Sequence, residues 1–217
     1  MTLHSAIDSL SSLVVRYHAP ASDRRALYFR GVMLKAIDSL KAIDILIEYG
    51  AIWPVHSRWL VEALGIAIAL NEDEKVVDQL VRESMNTFLL VDGLGDKERA
   101  EILRSISTSR FPDYETLFKR FEEEVEARNR GLLYSCYRLL CEHAHSEYHR
   151  IISYPRLGPE EPSVLAERRA LFTNISIASA LSIPCLAHCP PSCGFDDLGF
   201  QMAAEVCQEG WKQFQTE

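Results

Sequence analysis

Between Tyr134 and Arg150 the chain reads Tyr-Ser-Cys-Tyr-Arg-Leu-Leu-Cys-Glu-His-Ala-His-Ser-Glu-Tyr-His-Arg, with two arginines, three histidines and two glutamates in one stretch. At about 100° per residue in a helix, Arg138, Glu142, His145 and His149 fall within about 60° of one another, beside Tyr134. Leu133, Tyr137, Leu140 and Ala144 form a separate apolar stripe, and His143 lies on another side. The face therefore pairs Arg138 with His145, two turns on, rather than with the nearer His143. An imidazole moves protons near neutral pH and a guanidinium holds and neutralises a phosphate, so this pair suits phosphodiester chemistry. The plainer reading is a solvated or hydrogen-bonded histidine on a helix surface.

The same face offers metal chemistry. Glu142 and His145 make a Glu-x-x-His, and His149 follows one turn later. A di-iron centre of the ferritin type needs a second Glu-x-x-His, which the sequence lacks. A mononuclear site from Glu62, His145 and His149 stays open as an alternative. Near the C-terminus, Cys185, His188, Cys189 and Cys193 put four soft ligands in nine residues, but structural zinc sites take their ligands as two separated pairs. Small buried thiols at a helix end and turn explain that run more simply. Gly-rich phosphate loops and Gly-x-Ser-x-Gly elbows are absent from the sequence. No cofactor is expected.

A second polar feature is a charge in apolar company. From Trp59 to Leu70 the only ionisable side chain is Glu62, and Arg58 lies one turn before it. A buried carboxylate has to be paired, hydrogen-bonded or protonated, so Glu62 is expected to be largely buried and held by Arg58. Gly65, a turn further on, leaves room for another helix to approach. The alternative is an ordinary ion pair at a helix surface. The run Glu122, Glu123, Glu124 and Glu126 reads as a solvated acidic face, and the pairs Arg24-Arg25 and Arg168-Arg169 could meet those acids or an RNA backbone.

These residues need helices to place them, and helices are what the pattern supplies. Apolar residues recur at helical spacing over most of the chain and strand-type alternation is almost absent, which predicts an all-α bundle of seven to nine helices. Expected helices cover about 3–18, a second from a cap at Ser22 or Asp23 to Tyr49, then 54–70, a fourth capped by Asp73, 96–106, 113–128, 131–152, 163–186 and 196–214. The second carries a stripe of Leu27, Met33, Leu34, Ile37, Leu40, Ile43 and Leu46. Pro155, Gly158, Pro159 and Pro162 mark an exposed loop, which divides one overall domain into a main bundle over 1–155 and a C-terminal helical extension over 156–217 packed on it.

The chain has 217 residues, 47% of them hydrophobic and 25% charged, which fits a globular protein and excludes collagen-like and disordered classes. With 23 Lys plus Arg against 31 Asp plus Glu, the formal net charge is −8, so any RNA contact must rest on a local patch. The apolar runs around 59–70 and 175–187 fall short of the ~20 residues that cross a bilayer, so no membrane partner is expected. The first residues lack the pattern of an export signal, which makes the cytoplasm the default location and reduced thiols the default state of the six cysteines.

The motif residues also carry a likeness. The Arg-x-x-x-Glu helix at Arg58 and Glu62, followed by a helix with Tyr137, Arg138 and then His145, resembles a family of helical bacterial proteins of uncharacterised function, over residues 25–150. The later helix is also similar to the Arg-x4-6-His motif of HEPN domains, a helical superfamily that includes metal-independent ribonucleases acting as toxins or antiviral effectors. That resemblance implies Arg138 and His145 as catalytic residues, with Arg58, Glu62, Tyr134, Glu142 and His149 in support, RNA as substrate, and a homodimer that completes the cleft. Two other classes stay open beside it: a non-catalytic interaction or small-ligand-binding bundle, and the mononuclear metal protein.

Overall fold

In the computed structural model the described residues are 1–47, 53–73, 75–82, 93, 95–104, 113–125, 130–144, 162–187 and 193–216. The chain is an all-α bundle. The helices are α1 (Leu3–Arg16), α2 (Arg24–Leu46), α3 (Trp53–Glu72), α4 (Asp96–Arg104), α5 (Tyr114–Glu124), α6 (Leu132–Ala144), α7 (Pro162–Leu186) and α8 (Asp197–Thr216), with a further helical stretch over 76–82. The later part of the expected fourth helix and residues 155–161 of the expected loop lie outside the described residues, while Pro162, expected in that loop, opens α7.

Side-chain caps set several of the starts. Thr2 and Ser5 form a reciprocal capping box on α1. Asp23 caps α2, its Oδ1 accepting from the Ala26 N–H at 2.9 Å, and Asp113 caps α5 through the Thr116 N–H at 2.9 Å.

The centre of the bundle is α3 and α7. Helix α7 packs most extensively on α8 and α3, and also meets α2, α1 and α6, while α3 meets α2, α5 and α6 as well. A helix surrounded in this way must be apolar or small on every side. From Ile175 to Ile183 every residue of α7 is buried, and five of these nine residues are serine or alanine. On α8, Gly210 is placed so that a Cβ would lie 3.4 Å from the Ala178 Cα, which lets the two helices close on each other. Within α7, Arg169–Leu186 is long and apolar enough to cross a membrane by length and composition, longer than the dozen residues expected, and 67% of that window is buried inside the fold.

Helix α2 corrects the expected stripe. Met33, Ile37, Leu40 and Ile43 are buried, but Leu27 is 41% and Leu34 47% exposed. Ala26, Phe29, Val32 and Ala36 fill the contact instead. Position outranks size here, because packing follows the ridge that meets α1 and α3, whether the residue on it is Ala26 or Phe29. Where α1 ends, His18 and Gly194 exchange two backbone hydrogen bonds of 2.9 and 2.7 Å in an isolated antiparallel bridge.

Candidate functional site

The polar residues of α3 and α6 meet where those helices pack. On α3, spacing by four places Arg58 and Glu62 on one face, and Arg58 donates to Glu62 Oε1 from Nε at 3.0 Å and from Nη2 at 2.8 Å. The pairing is as expected, and the burial is substantial without being complete. Their side chains are 23% and 25% exposed, whereas Leu60, Val61, Ala63 and Leu64 around them are buried. The pair sits at the rim of the α3 contact face, where the guanidinium and carboxylate keep an edge in water. Burial works against the Arg58 charge, yet the hydrogen bond and charge of Glu62 outweigh it and hold the guanidinium above its ordinary range.

From α6, the Tyr137 hydroxyl donates to the same Glu62 Oε1 at 3.4 Å, across 75 residues of sequence. Burial pushes this phenol above its usual range, with Cys141 and the charge of Glu62 adding to the effect, so Tyr137 keeps its proton and remains a donor. Its ring stands in an aromatic group with Tyr114 at 5.0 Å, Phe118 at 5.9 Å and Tyr134 at 6.3 Å between centroids. Gly65 makes that group possible. A Cβ there would come within 2.5 Å of the Tyr114 ring, so the close approach anticipated at Gly65 is made by a side chain of α5.

Helix α6 is itself held at its start by a buried acid. Glu122 is 1% exposed, and its two oxygens accept the Gly131 N–H at 2.5 Å and the Leu133 N–H at 2.7 Å. This overturns the reading of residues 122–126 as a uniformly solvated acidic face. The negative charge lies at the positive end of the α6 dipole and satisfies amides that the helix cannot. Gly131, at φ 83°, makes the turn that brings them to it. Glu123 and Glu124 are exposed, as expected of that face. Behind Glu122, burial pushes the Cys136 thiol up to about 12, with the carboxylate charge adding to it.

Of the other residues singled out, Tyr134 is half-buried against Tyr137, and Arg138, next along α6, is exposed. Glu142 belongs to α6 by its backbone, but its side chain lies outside the described residues, as do His145 and His149 altogether. The spatial relation of Arg138 to His145 is therefore not described. Of the four soft ligands near the C-terminus, His188 and Cys189 also lie outside; the Cys193 thiol is buried and donates to Asp23 Oδ2 at 3.1 Å.

Three site residues escaped the reading of the sequence: Tyr137 as the partner of Glu62, Cys141 one turn beyond it, and Glu122. For Glu122 a signal existed, since Phe118, Phe121, Glu122 and Val125 share one helical face. What the arrangement offers chemically is a fixed cation, a protonated phenol and a thiol at a solvent-facing rim, with Arg138 the residue after Tyr137 on α6. Compared with known proteins, the chain matches no family model, no curated protein and no solved structure.

Proposed function

We propose that the chain is a HEPN-like helical protein that binds an RNA phosphodiester at the α3–α6 rim and cleaves it without a metal. One observation carries the reading: Glu62 ties Arg58 of α3 to Tyr137 of α6, so the residue after Tyr137, the exposed Arg138, is presented from a helix braced against a fixed guanidinium. In the proposed step His145 takes the proton of a ribose 2′-hydroxyl. The oxygen attacks phosphorus, the P–O5′ bond breaks, and a proton returns to the leaving oxygen, leaving a cyclic phosphate. Arg138 neutralises the charge that gathers on the phosphoryl oxygens. Tyr134 and Arg58 hold the phosphate, while Glu62 and Glu142 orient the cationic groups and His149 supports His145. A second copy of the chain completes the cleft.

A second reading, binding without cleavage, is favoured by the commitment of Arg58 to Glu62 together with the net charge of −8. For the mononuclear alternative, Glu62 is the single ligand among the described residues, and its Oε1 is already engaged by Arg58 and Tyr137. Incubation with labelled single-stranded RNA in excess chelator separates these classes. Cleavage that disappears in His145→Ala and falls at least tenfold in Arg138→Ala supports the ribonuclease. Retention of RNA without cleavage favours the binding protein, and cleavage undiminished in His145→Ala overturns the mechanism.

A further inference from the structure

Away from that rim, two thiols share one cavity where α7 and α8 pack. The helices run antiparallel there, with Ser182 opposite Cys207 and Trp211, and Cys185 opposite Ala203. Cys185 and Cys207 both line a cavity of about 480 Å³ whose wall also includes Trp211, Gln208, Lys212 and Glu124. That space far exceeds the ~30 Å³ share of one water, so a small polar reagent fits.

The hydrogen bonds around the two sulfurs are specific. Ser182 Oγ donates to the Ala178 carbonyl at 2.7 Å and accepts the Trp211 Nε1–H at 2.6 Å and the Cys207 S–H at 3.5 Å, which uses its one proton and both lone pairs. Cys185 donates to the Ala203 carbonyl at 2.9 Å, and the two thiols lie within hydrogen-bonding reach of each other. We propose that Cys185 and Cys207 form an oxidisable dithiol that reacts with hydrogen peroxide in this cavity and closes to a disulfide across the α7–α8 seam.

Cys207 is the attacking sulfur. As it ionises, the Cys185 S–H turning to it from the Ala203 carbonyl, and then the Ser182 O–H turning from the Ala178 carbonyl, lower its pKa against the opposing effect of burial, while Cys185 is held up by that same contact and by burial. The Cys207 thiolate attacks one peroxide oxygen, so that an S–O bond forms, the O–O bond breaks and the departing hydroxide leaves as water with the thiol proton. Cys185 then attacks the Cys207 sulfur: the S–S bond forms, the S–O bond breaks, and a second water leaves with the Cys185 proton. Two thiols and one peroxide become one disulfide and two waters, with two electrons passing from sulfur to oxygen.

The test uses the full chain, reduced and then treated with a few equivalents of hydrogen peroxide, alkylated under denaturing conditions and digested for mass spectrometry. The expected result is a peptide cross-linked between Cys185 and Cys207, lost on reduction with dithiothreitol and accompanied by a drop in Trp211 fluorescence. Cys185→Ser should stop at a sulfenic acid on Cys207 that dimedone traps, and Cys207→Ser should leave Cys185 alkylated at the same dose. Should either variant fail to fold, the cross-link in the unsubstituted chain decides alone. Complete alkylation of both cysteines after peroxide, or Cys207 paired as often with Cys189 or Cys193, overturns the proposal.

Discussion

Glu62 carries two roles on one oxygen, as the partner of Arg58 and as the acceptor for Tyr137. Glu62→Gln preserves shape and removes the charge, and a pair that keeps a quarter of its surface in water yields little Coulomb energy. The expected loss is about 1 kcal/mol of unfolding free energy by urea titration, with a larger effect on RNA cleavage because Arg58 loses its anchor. A loss above ~3 kcal/mol would instead mark a pair buried in solution. Asp23 sets a pH dependence. The Ala26 N–H, and then Cys193, hold its carboxyl below the usual carboxylate range. A folded pKa below the unfolded value gives stability that is complete above about pH 4 and is lost as pH falls through the folded value. Asp23→Asn keeps a capping oxygen but cannot titrate, so the fall in Tm between about pH 4 and pH 2 should be smaller than in the unsubstituted chain. An equal fall in both proteins would assign the acid sensitivity to other carboxylates. The Arg58–Glu62 pair was legible because spacing by four is a local rule; the quarter of its surface left in water was not, since that depends on where α6 ends its contact with α3.

Helix α6 connects sequence to site, and Glu122 decides where it begins. Glu122→Ala strands the Gly131 and Leu133 amides in a buried place, and hydrogen bonds to a charged acceptor contribute roughly 1.5–3 kcal/mol. A destabilisation of about 3 kcal/mol is expected, with hydrogen exchange accelerating first over residues 131–135 and an unchanged α1. Uniform acceleration along the chain would mean that the acid acts only on global stability. The elements themselves were readable: the caps Asp23 and Asp113, the stop at Arg16 and the long buried helix ending at Leu186 all sit within a few residues of expectation. What local pattern could not supply was which face of α2 meets its neighbours. Leu27 and Leu34 satisfy the helical period as well as Met33 and Ile37 do, and only the crossing with α1 and α3 separates them. Tyr137 escaped for the same reason. Its ring obeys the core stripe while its hydroxyl reaches a carboxylate 75 residues away.

At the scale of the molecule, the net charge of −8 opposes the approach of a polyanion everywhere except at a local patch. If RNA is held at the α3–α6 rim by Arg138, Arg58 and few other cations, binding should weaken only modestly with salt. A log–log slope of about −1 to −2 is expected, since each neutralised phosphate contributes about −0.7 for a single strand. A slope steeper than about −4 in fluorescence anisotropy would require an extended basic surface that these residues do not supply. The bundle class was legible from periodicity alone, whereas the juxtaposition of α7 with α3, α2 and α8 was not, because helix order around a core is set by long-range packing. The bridge between His18 and Gly194 has a consequence for the order in which the chain is completed. Together with Cys193 on Asp23, it pins the corner between α1 and α2 with residues synthesised some 170 positions later. Contacts of such separation form after local helices, because the closure entropy comes due first. That corner thus leaves the ribosome long before it can lock, and a nascent chain halted before residue 193 would hold α1 and α2 without this clasp.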